Sequence, residues 1–448
     1  MSGPTGTNST LLASYISDAR NRDYPPEVVD AARMCLTDWL AVAVAARNDT
    51  AAIAVHRVAD KWCSRGRSML LRGGYAAAPV AALVNGTLAH ILDFDDTHVA
   101  STTHFSGPLW AAILALGAEC ETNEDRMLKA FITGFEVGAR IGRNMGPVLS
   151  AVGWHSTGMA GRLGAAAACS TLLDLTAEQS VYALGIAATQ VSGLTASFGT
   201  MAKPFHVGKA AMDGLMSAQL AAESFTAATD LLEWNGPLSS TLVQDQSASI
   251  GLIDFNDGFE ILNNTFKFHA ACLLAHPSIE AARSIAPRVN VNTVVSCRVK
   301  ANPLAAQLAG LNNPKTPTEG KFSIPFCVAL GLSGHSVGPL DFSESTLRDP
   351  AIQQLASTVE IDADDSIAST ATTLHVHLND GQIIMKSLSV HRNTMPTWTD
   401  IEHKFLETSQ PALSSADADA LFFALRNFGS GHALPTIKAT VNKPSFGF

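Results

Sequence analysis

The run Ala81-Ala82-Leu83-Val84-Asn85-Gly86-Thr87-Leu88-Ala89-His90, followed closely by Asp93-Phe94-Asp95-Asp96-Thr97-His98, decides how this chain is read. Residues 81–90 are almost all apolar and do not alternate, which reads as a helix buried on every side. Three carboxylates come straight after it, and Thr103-His104 follows a few residues on. Carboxylates at the end of a buried helix are costly unless they are hydrogen-bonded or used. The segment therefore points to chemistry. The bland alternative is a solvated helix end with a polar turn. A calcium or zinc site is disfavoured, because the run has neither the calcium-loop spacing with its Gly and terminal Glu nor a His-Glu-x-x-His.

Outward from this run the helical pattern continues from residue 8 to about 230. Pro25-Pro26 opens a helix with apolar residues at spacings of three and four: Val28, Ala31, Ala32, Cys35, Leu36, Trp39 and Leu40. Residues 122–141 repeat the pattern, and Thr176-Ala177-Glu178-Gln179 is a capping-box signature. The stretch 158–173 is Ala/Gly-rich and apolar all round, a buried central helix, and 206–225 reads as another helix. The texture changes near 265. Residues 289–300 and 372–378 alternate, Asn379-Asp380-Gly381 is a hairpin turn with 382–388 as its return strand, and Val359-Glu360-Ile361 suggests one more strand. Helical periodicity returns over 399–428. The simplest layout is an all-helical domain, 1–265 and 397–448, with an inserted α+β domain over 266–396.

The chain has 448 residues, enough for two domains, with 47% hydrophobic and 16% charged residues and a formal net charge of −10. With no Lys/Arg run and an acidic balance, nucleic acid is excluded as the expected partner. An anionic substrate would need a local basic pocket. The seven cysteines are widely spaced and form no C-x-x-C pair, which suits free thiols in a reducing compartment. The polar start, Met1 to Thr7, carries no secretory core, and no uninterrupted apolar stretch indicates a membrane span. The expectation is a soluble, cytoplasmic protein.

Four further places put polar residues in apolar or Gly-rich surroundings. Gly153-Trp154-His155-Ser156-Thr157-Gly158 heads the buried helix, where amides favour an anion; a satisfied core histidine is the structural alternative. Gly199-Thr200-Met201-Ala202-Lys203-Pro204-Phe205-His206 holds a lone lysine before a helix start, which could equally snorkel at the surface. Lys267-Phe268-His269-Ala270-Ala271-Cys272, ending at His276-Pro277, sits at the domain junction, where ligand sites prefer to lie. Gly320-Lys321-Phe322-Ser323-Ile324-Pro325-Phe326-Cys327 is otherwise a plain helix start. These runs offer His, Lys and Asp with no metal motif, no nucleotide loop and no nucleophile elbow. The set suits proton transfer beside carboxylates, with a cation holding carboxylate and enolate charge.

In this order the segments resemble the MmgE/PrpD family, which includes 2-methylcitrate dehydratases, cis-aconitate decarboxylases and an iminodisuccinate epimerase. The resemblance rests on Leu92 to His98, His104-Phe105-Ser106-Gly107, Gly153-Trp154-His155, Gly199 to Lys203 with His206, and Lys267 to His276, and it spans nearly the whole chain. It implies a large helical domain with a smaller α+β lid, a site between them, a homodimer, and no metal or organic cofactor. Carried over by motif, His104, Asp93 and Lys203 are the catalytic candidates, and Thr97, His155, His276, His206 and Lys267 the substrate-binding ones. The departures are Phe326 and His269, where tyrosines are usual, Phe105 where a proline is common, and residues 148–152, which lack the epimerase tyrosine. The expected function is a cofactor-independent hydro-lyase acting on a small di- or tricarboxylate by proton abstraction next to a carboxylate. An epimerase, a decarboxylase or a catalytically inactive binding protein are the alternatives.

Overall fold

The computed structural model describes residues 7–245, 247–390 and 395–441. The polar N-terminal run, Thr7 excepted, lies outside them, as do 391–394 of the expected insertion and 442–448 of the expected return. Helices dominate. In chain order they are α1 Asn8–Ser17, α2 Pro26–Ala45, α3 Thr50–Lys61, α4 Ala78–His90, α5 Ser106–Glu119, α6 Glu124–Ala151, α7 Arg162–Leu172, α8 Ala177–Ala188, α9 Ala202–Ala222 and α10 Pro237–Val243. Then come α11 His276–Ile285, α12 Pro303–Ala309, α13 Pro317–Gly320, α14 Ile324–Leu332, α15 Glu344–Leu347, α16 Pro350–Ser357, α17 Trp398–Ser409, α18 Ser415–Arg426 and α19 Ala433–Val441. Among the described residues no helix is long and apolar enough to cross a membrane.

The starts follow local chemistry. Pro26 opens α2 and Pro79 opens α4, where a missing amide proton costs nothing. Thr176 and Gln179 close a capping box on α8. Helix α4 is buried along most of its length, as its largely apolar sequence requires, and its polar residues Asn85, Thr87 and His90 are buried and hydrogen-bonded. The expected helix over 158–173 is a π-helical turn, Thr157–Gly161, running into α7. Gly158 and Gly161 lie there without room for a side chain, against the Ser192 carbonyl and Pro108. The helix expected from 206 begins at Ala202, so Lys203 lies in its first turn rather than ahead of it. Pro204 is tolerated because first-turn amides have no intrahelical acceptor.

Among the described residues, strands form three small sheets. Ser68–Met69 (β1) pairs with Tyr75–Ala76 (β2), and Thr97–His98 (β3) pairs antiparallel with Asn264–Thr265 (β4). The largest has order β6-β5-β7-β8, built from Val294–Ala301 (β5), Val359–Ala363 (β6), Ala371–Leu378 (β7) and Ile383–Ser389 (β8). The β5–β6 pair is parallel, and β7 pairs antiparallel with both β5 and β8. Gly381 takes φ +85° in the β7–β8 turn, as the Asn-Asp-Gly sequence foretold. The strand expected from 289 starts only at Val294, after a 3₁₀ turn at Val291–Thr293.

Two hydrophobic cores result. One gathers side chains from Leu12 to Phe266 and again from Ile401 to Val441. The other gathers side chains from Ala270 to Ile384, joined by Val42 and Phe94 from the first part of the chain. The fold is thus mainly α, with a smaller α+β part. Phe94, inside the carboxylate run, is where the first part of the chain reaches into the second core.

Candidate active site

Helix α4 ends at His90, and the chain turns sharply. Asp93 adopts φ +50°, its amide donating to the His90 carbonyl at 3.2 Å. A left-handed conformation is uncommon for a residue with a side chain, though Asp tolerates it, and such positions gather at functional sites. It turns the Asp93 carboxylate, 3% exposed, into the protein. Lysines from three separate segments meet this turn, two of them on the carboxylate itself. Lys203 Nζ, from the first turn of α9, lies 2.5 Å from Asp93 Oδ1. Lys267 Nζ lies 3.0 Å from the same oxygen and donates to the Asp93 carbonyl at 2.9 Å. Lys321 Nζ donates to the Leu92 carbonyl at 2.8 Å. All three lysines are buried.

The packing that brings them together is specific. Helices α4 and α9 cross with Gly86 against Gly208: a Cβ on Gly86 would come within 2.9 Å of Gly208 Cα, and one on Gly208 would overlap the Leu83 carbonyl and the Thr87 hydroxyl. Only glycine allows that approach. The β3–β4 pair, with Thr97 opposite Thr265, brings Lys267 to the same loop.

Histidines form the next layer. His104 Nδ1 lies 2.8 Å from the Asp96 carbonyl, which can only accept, so Nδ1 carries the proton and Nε2 is the basic nitrogen. Thr97 Oγ1 stands 3.2 Å from the same Nδ1. His90 Nδ1 meets both oxygens of Asp95 at 2.8 Å, and its ring lies 4.5 Å from that of His104. His155 Nδ1 is 3.2 Å from His206 Nδ1. Phe198 and Phe322 place their rings 5.1 Å from the Lys203 ammonium, within cation–π range.

Electrostatics follow from this crowding. Burial pushes the Asp93 carboxyl up, but the ammoniums of Lys203 and Lys267 outweigh it and hold the group well below the usual range. Burial acts the same way on Asp95, and His90 and His104 override it, keeping Asp95 ionised. Asp96 goes the other way: burial, then the carboxylates of Asp38 and Asp95, push it up to about 7, against hydrogen bonds from Ser106 and Asn264. Burial drives His104 and His155 well below the ordinary histidine value; nearby lysines and histidines add to this, while Asp95 opposes it at His104. His206 falls to about 4 through burial, with His90 and Lys203 adding to it. Burial lowers Lys321 to about 8, against Asp93. His90, Asp95 and His104 each bring one donor atom within 4.8 Å of the others, a grouping that no linear motif disclosed. The Nδ1 atoms of both histidines are already engaged, with Asp95 and with the Asp96 carbonyl, and the lysine ammoniums alongside oppose a further cation.

Of the residues singled out in the sequence, Asp93, Thr97, His104, Lys203 and Lys267 converge directly, and His155 with His206 adjoins them. His276 is tied to its own segment: Nε2 donates to the Ala271 carbonyl at 3.2 Å and the ring meets His269 at 5.2 Å. His269 is engaged with Glu280 at 2.7 Å and with the Ser336 carbonyl at 2.9 Å. Phe326 packs on Phe342, so Phe322 is the residue of that run whose ring faces Lys203. The sequence reading missed His90, Asp95 as its partner, and Phe198. Spacing did carry a signal for His90, five residues before Asp95 at the end of a buried helix.

A mainly helical two-core fold carries lysines and histidines gathered on one buried carboxylate turn where the cores meet, a set of side chains suited to acid–base chemistry. Residues 10–250 match the MmgE/PrpD N-terminal domain model and residues 269–426 the MmgE/PrpD C-terminal domain model. The chain belongs to the MmgE/PrpD family. It is 27% identical over 415 residues to the cis-aconitate decarboxylase of Aspergillus terreus, covering 84% of each protein. It is 27% identical over 375 residues to the cis-aconitate decarboxylase of Homo sapiens, 78% of this chain and 76% of that one. To the cis-aconitate decarboxylase-like protein oryM of Aspergillus oryzae it is 30% identical over 235 residues, half of this chain and 48% of that protein.

Proposed function

We propose that the protein is a cofactor-independent lyase acting on a small tricarboxylate of the cis-aconitate type. One observation carries the reading: Lys203, Lys267 and Lys321 converge on the Leu92–Asp93 turn, and the Asp93 carboxylate is the anion that all three neighbour. A chain of net charge −10 thereby gathers three buried lysines on one turn. That gathering suits a polyanion. The lysines hold the substrate carboxylates, and the same charges stabilise the carbanion or enolate that forms beside them. His104, fixed by Asp96 and Thr97, moves the proton through Nε2. In decarboxylation the C–C bond to one carboxylate breaks, carbon dioxide leaves with neither bonding electron, and the carbanion takes a proton that His104 relays from solvent through Nε2.

The relatives' names favour decarboxylation. Dehydration is the second reading, and Phe326 favours it, since a phenolic donor is absent from the run where decarboxylases of the family are expected to carry one. Here His104 takes the proton, the C–OH bond on the neighbouring carbon breaks, and the departing hydroxide is protonated by the imidazolium to leave as water. An epimerase shares that first step and differs in the reprotonation. In each case residues 266–396 act as the lid, the protein works as a homodimer, and it resides in the cytoplasm. The test is incubation with cis-aconitate and a panel of saturated hydroxy-tricarboxylates in deuterated water. Carbon dioxide with a deuterated product supports decarboxylation, and a new conjugated double bond supports elimination. Deuterium uptake without net loss indicates epimerisation. No turnover and no binding of any di- or tricarboxylate ends the proposal.

A further inference from the structure

His90 is buried at the heart of the site, with one ring nitrogen clamped and the other without a hydrogen-bond partner. Its Nδ1 meets both Asp95 oxygens at 2.8 Å. Since Asp95 is ionised, that nitrogen carries the proton. Its Nε2 is among the buried atoms with no hydrogen-bond partner and lies 3.9 Å from Asp93 Oδ1. A neutral imidazole thus turns a lone pair towards a carboxylate, an arrangement with nothing to recommend it unless the charge on Asp93 is met elsewhere. At present Lys203 and Lys267 meet it. The groups around His90 are Asp93 and Asp95 on its own loop, His104 ahead of α5, His155 ahead of the π-helical turn, and Lys203 with His206 on α9, with Lys267 behind Asp93.

We propose that the His90–Asp95 pair is a positioning pair that takes up a proton when Lys203 leaves Asp93 for a substrate carboxylate. This rests on the polycarboxylate reading above. The exchange balances in charge. The Lys203–Asp93 ion pair opens, Lys203 pairs with the substrate carboxylate, one proton enters from solvent at His90 Nε2, and the imidazolium then bridges Asp95 and Asp93. Asp93 keeps its position without Lys203, and the bound anion does not meet an uncompensated carboxylate. Lys203 cannot serve both anions at full strength, so a replacement cation on Asp93 is needed, and Nε2 is already aimed at it. The effect tethers binding to pH: affinity for the anion falls as pH rises and the proton to be taken up becomes scarcer.

The test is calorimetric titration of the full chain with propane-1,2,3-tricarboxylate, a saturated and unreactive tricarboxylate, in two buffers of different ionisation enthalpy near neutral pH. Wild type should take up about one proton per site on binding. His90→Gln should bind the same ligand with uptake abolished. Binding by wild type with no proton uptake, or undiminished uptake in His90→Gln, overturns this inference and leaves the lyase proposal standing. If this tricarboxylate does not bind, the substrate panel decides the lyase proposal, and a ligand-free measurement decides the question for His90. In Lys203→Met with ¹⁵N-labelled histidine, removal of the ammonium should raise the His90 imidazole titration by at least about one unit. An unchanged titration overturns the inference even if His90→Gln fails to fold, since the comparison needs only wild type and Lys203→Met.

Discussion

At the scale of single residues, Lys203 is bound to an internal carboxylate, Asp93, and on the proposed function is shared with an external one. Its loss should therefore weaken substrate binding and slow turnover together, because the same charge faces ground state and enolate. Lys203→Arg should rescue only in part, since a planar fork replaces a compact charge beside Phe198 and Phe322. Lys203→Met with both kinetic constants within about twofold of wild type, roughly 0.4 kcal/mol, removes the anion-binding role. His104→Ala should lower turnover by about 10²–10⁴-fold, the usual share of one acid–base group. Unchanged turnover with weaker binding would recast it as a substrate ligand. The same histidines make stability depend on pH. His104, His155 and His206 are held below their ordinary values in the fold, the last at about 4. Between about pH 6.5 and 4 the unfolded chain therefore binds protons that the native protein refuses. The contribution of these three histidines is full above that window and declines as pH falls through it, and they outnumber the single Asp96 carboxyl, raised to about 7, which acts in the opposite sense. Denaturant midpoints at constant salt should drop from pH 7 to pH 5, and a flat profile contradicts the buried, neutral state of the cluster.

At the scale of elements, the crossing of α4 and α9 sets how far Lys203 reaches. Gly208→Ala places a methyl on the Leu83 carbonyl and forces the helices apart. It should destabilise the protein by about 1–3 kcal/mol, the usual penalty of overpacking. It should also depress kcat/KM, by lifting Lys203 from Asp93. A thermal shift with wild-type activity would show that the crossing only packs. Much of this was legible in the chain. The unbroken apolar run before Asp93 announced a buried helix with carboxylates at its end, and the change of hydrophobic period near 265 announced the sheet. Asp93, Lys203 and Lys267 could be paired up only after folding, because 110 and 174 residues separate the partners. His90 was hidden for a different reason. As the last residue of an apolar helix it fits the reading of a satisfied core histidine equally well, and its bond to Asp95 depends on the tight turn between them. The π-helical turn at Thr157–Gly161 was also invisible, because helical periodicity over five residues does not separate a 3.6-residue turn from a wider one.

At the scale of the whole molecule, helices α17 to α19 return to the first core and fasten the site from behind. Lys404, on α17 and only 4% exposed, forms an ion pair with Asp38 of α2 at 2.5 Å and donates to the Phe94 carbonyl at 2.7 Å. Its ammonium also lies 4.1 Å from the Phe94 ring. A helix far along the sequence therefore grips the residue next to Asp93. Burial raises the Asp38 carboxyl, and Lys404 opposes that rise. Lys404→Met would leave Asp38 without its cation close to Asp95 and Asp96, and breaking a buried pair by removing one partner costs about 3–5 kcal/mol. The midpoint of chemical denaturation should fall accordingly. Pairing it with Asp38→Leu removes the orphaned charge, so Lys404→Met/Asp38→Leu should recover most of the lost stability. Activity should not return with it, because the Phe94 carbonyl still lacks its donor and the Asp93 turn is no longer fastened. Recovery of stability and turnover together would make the pair a matter of packing alone. Recovery of stability without turnover means that the C-terminal helices hold the turn in the geometry the chemistry needs.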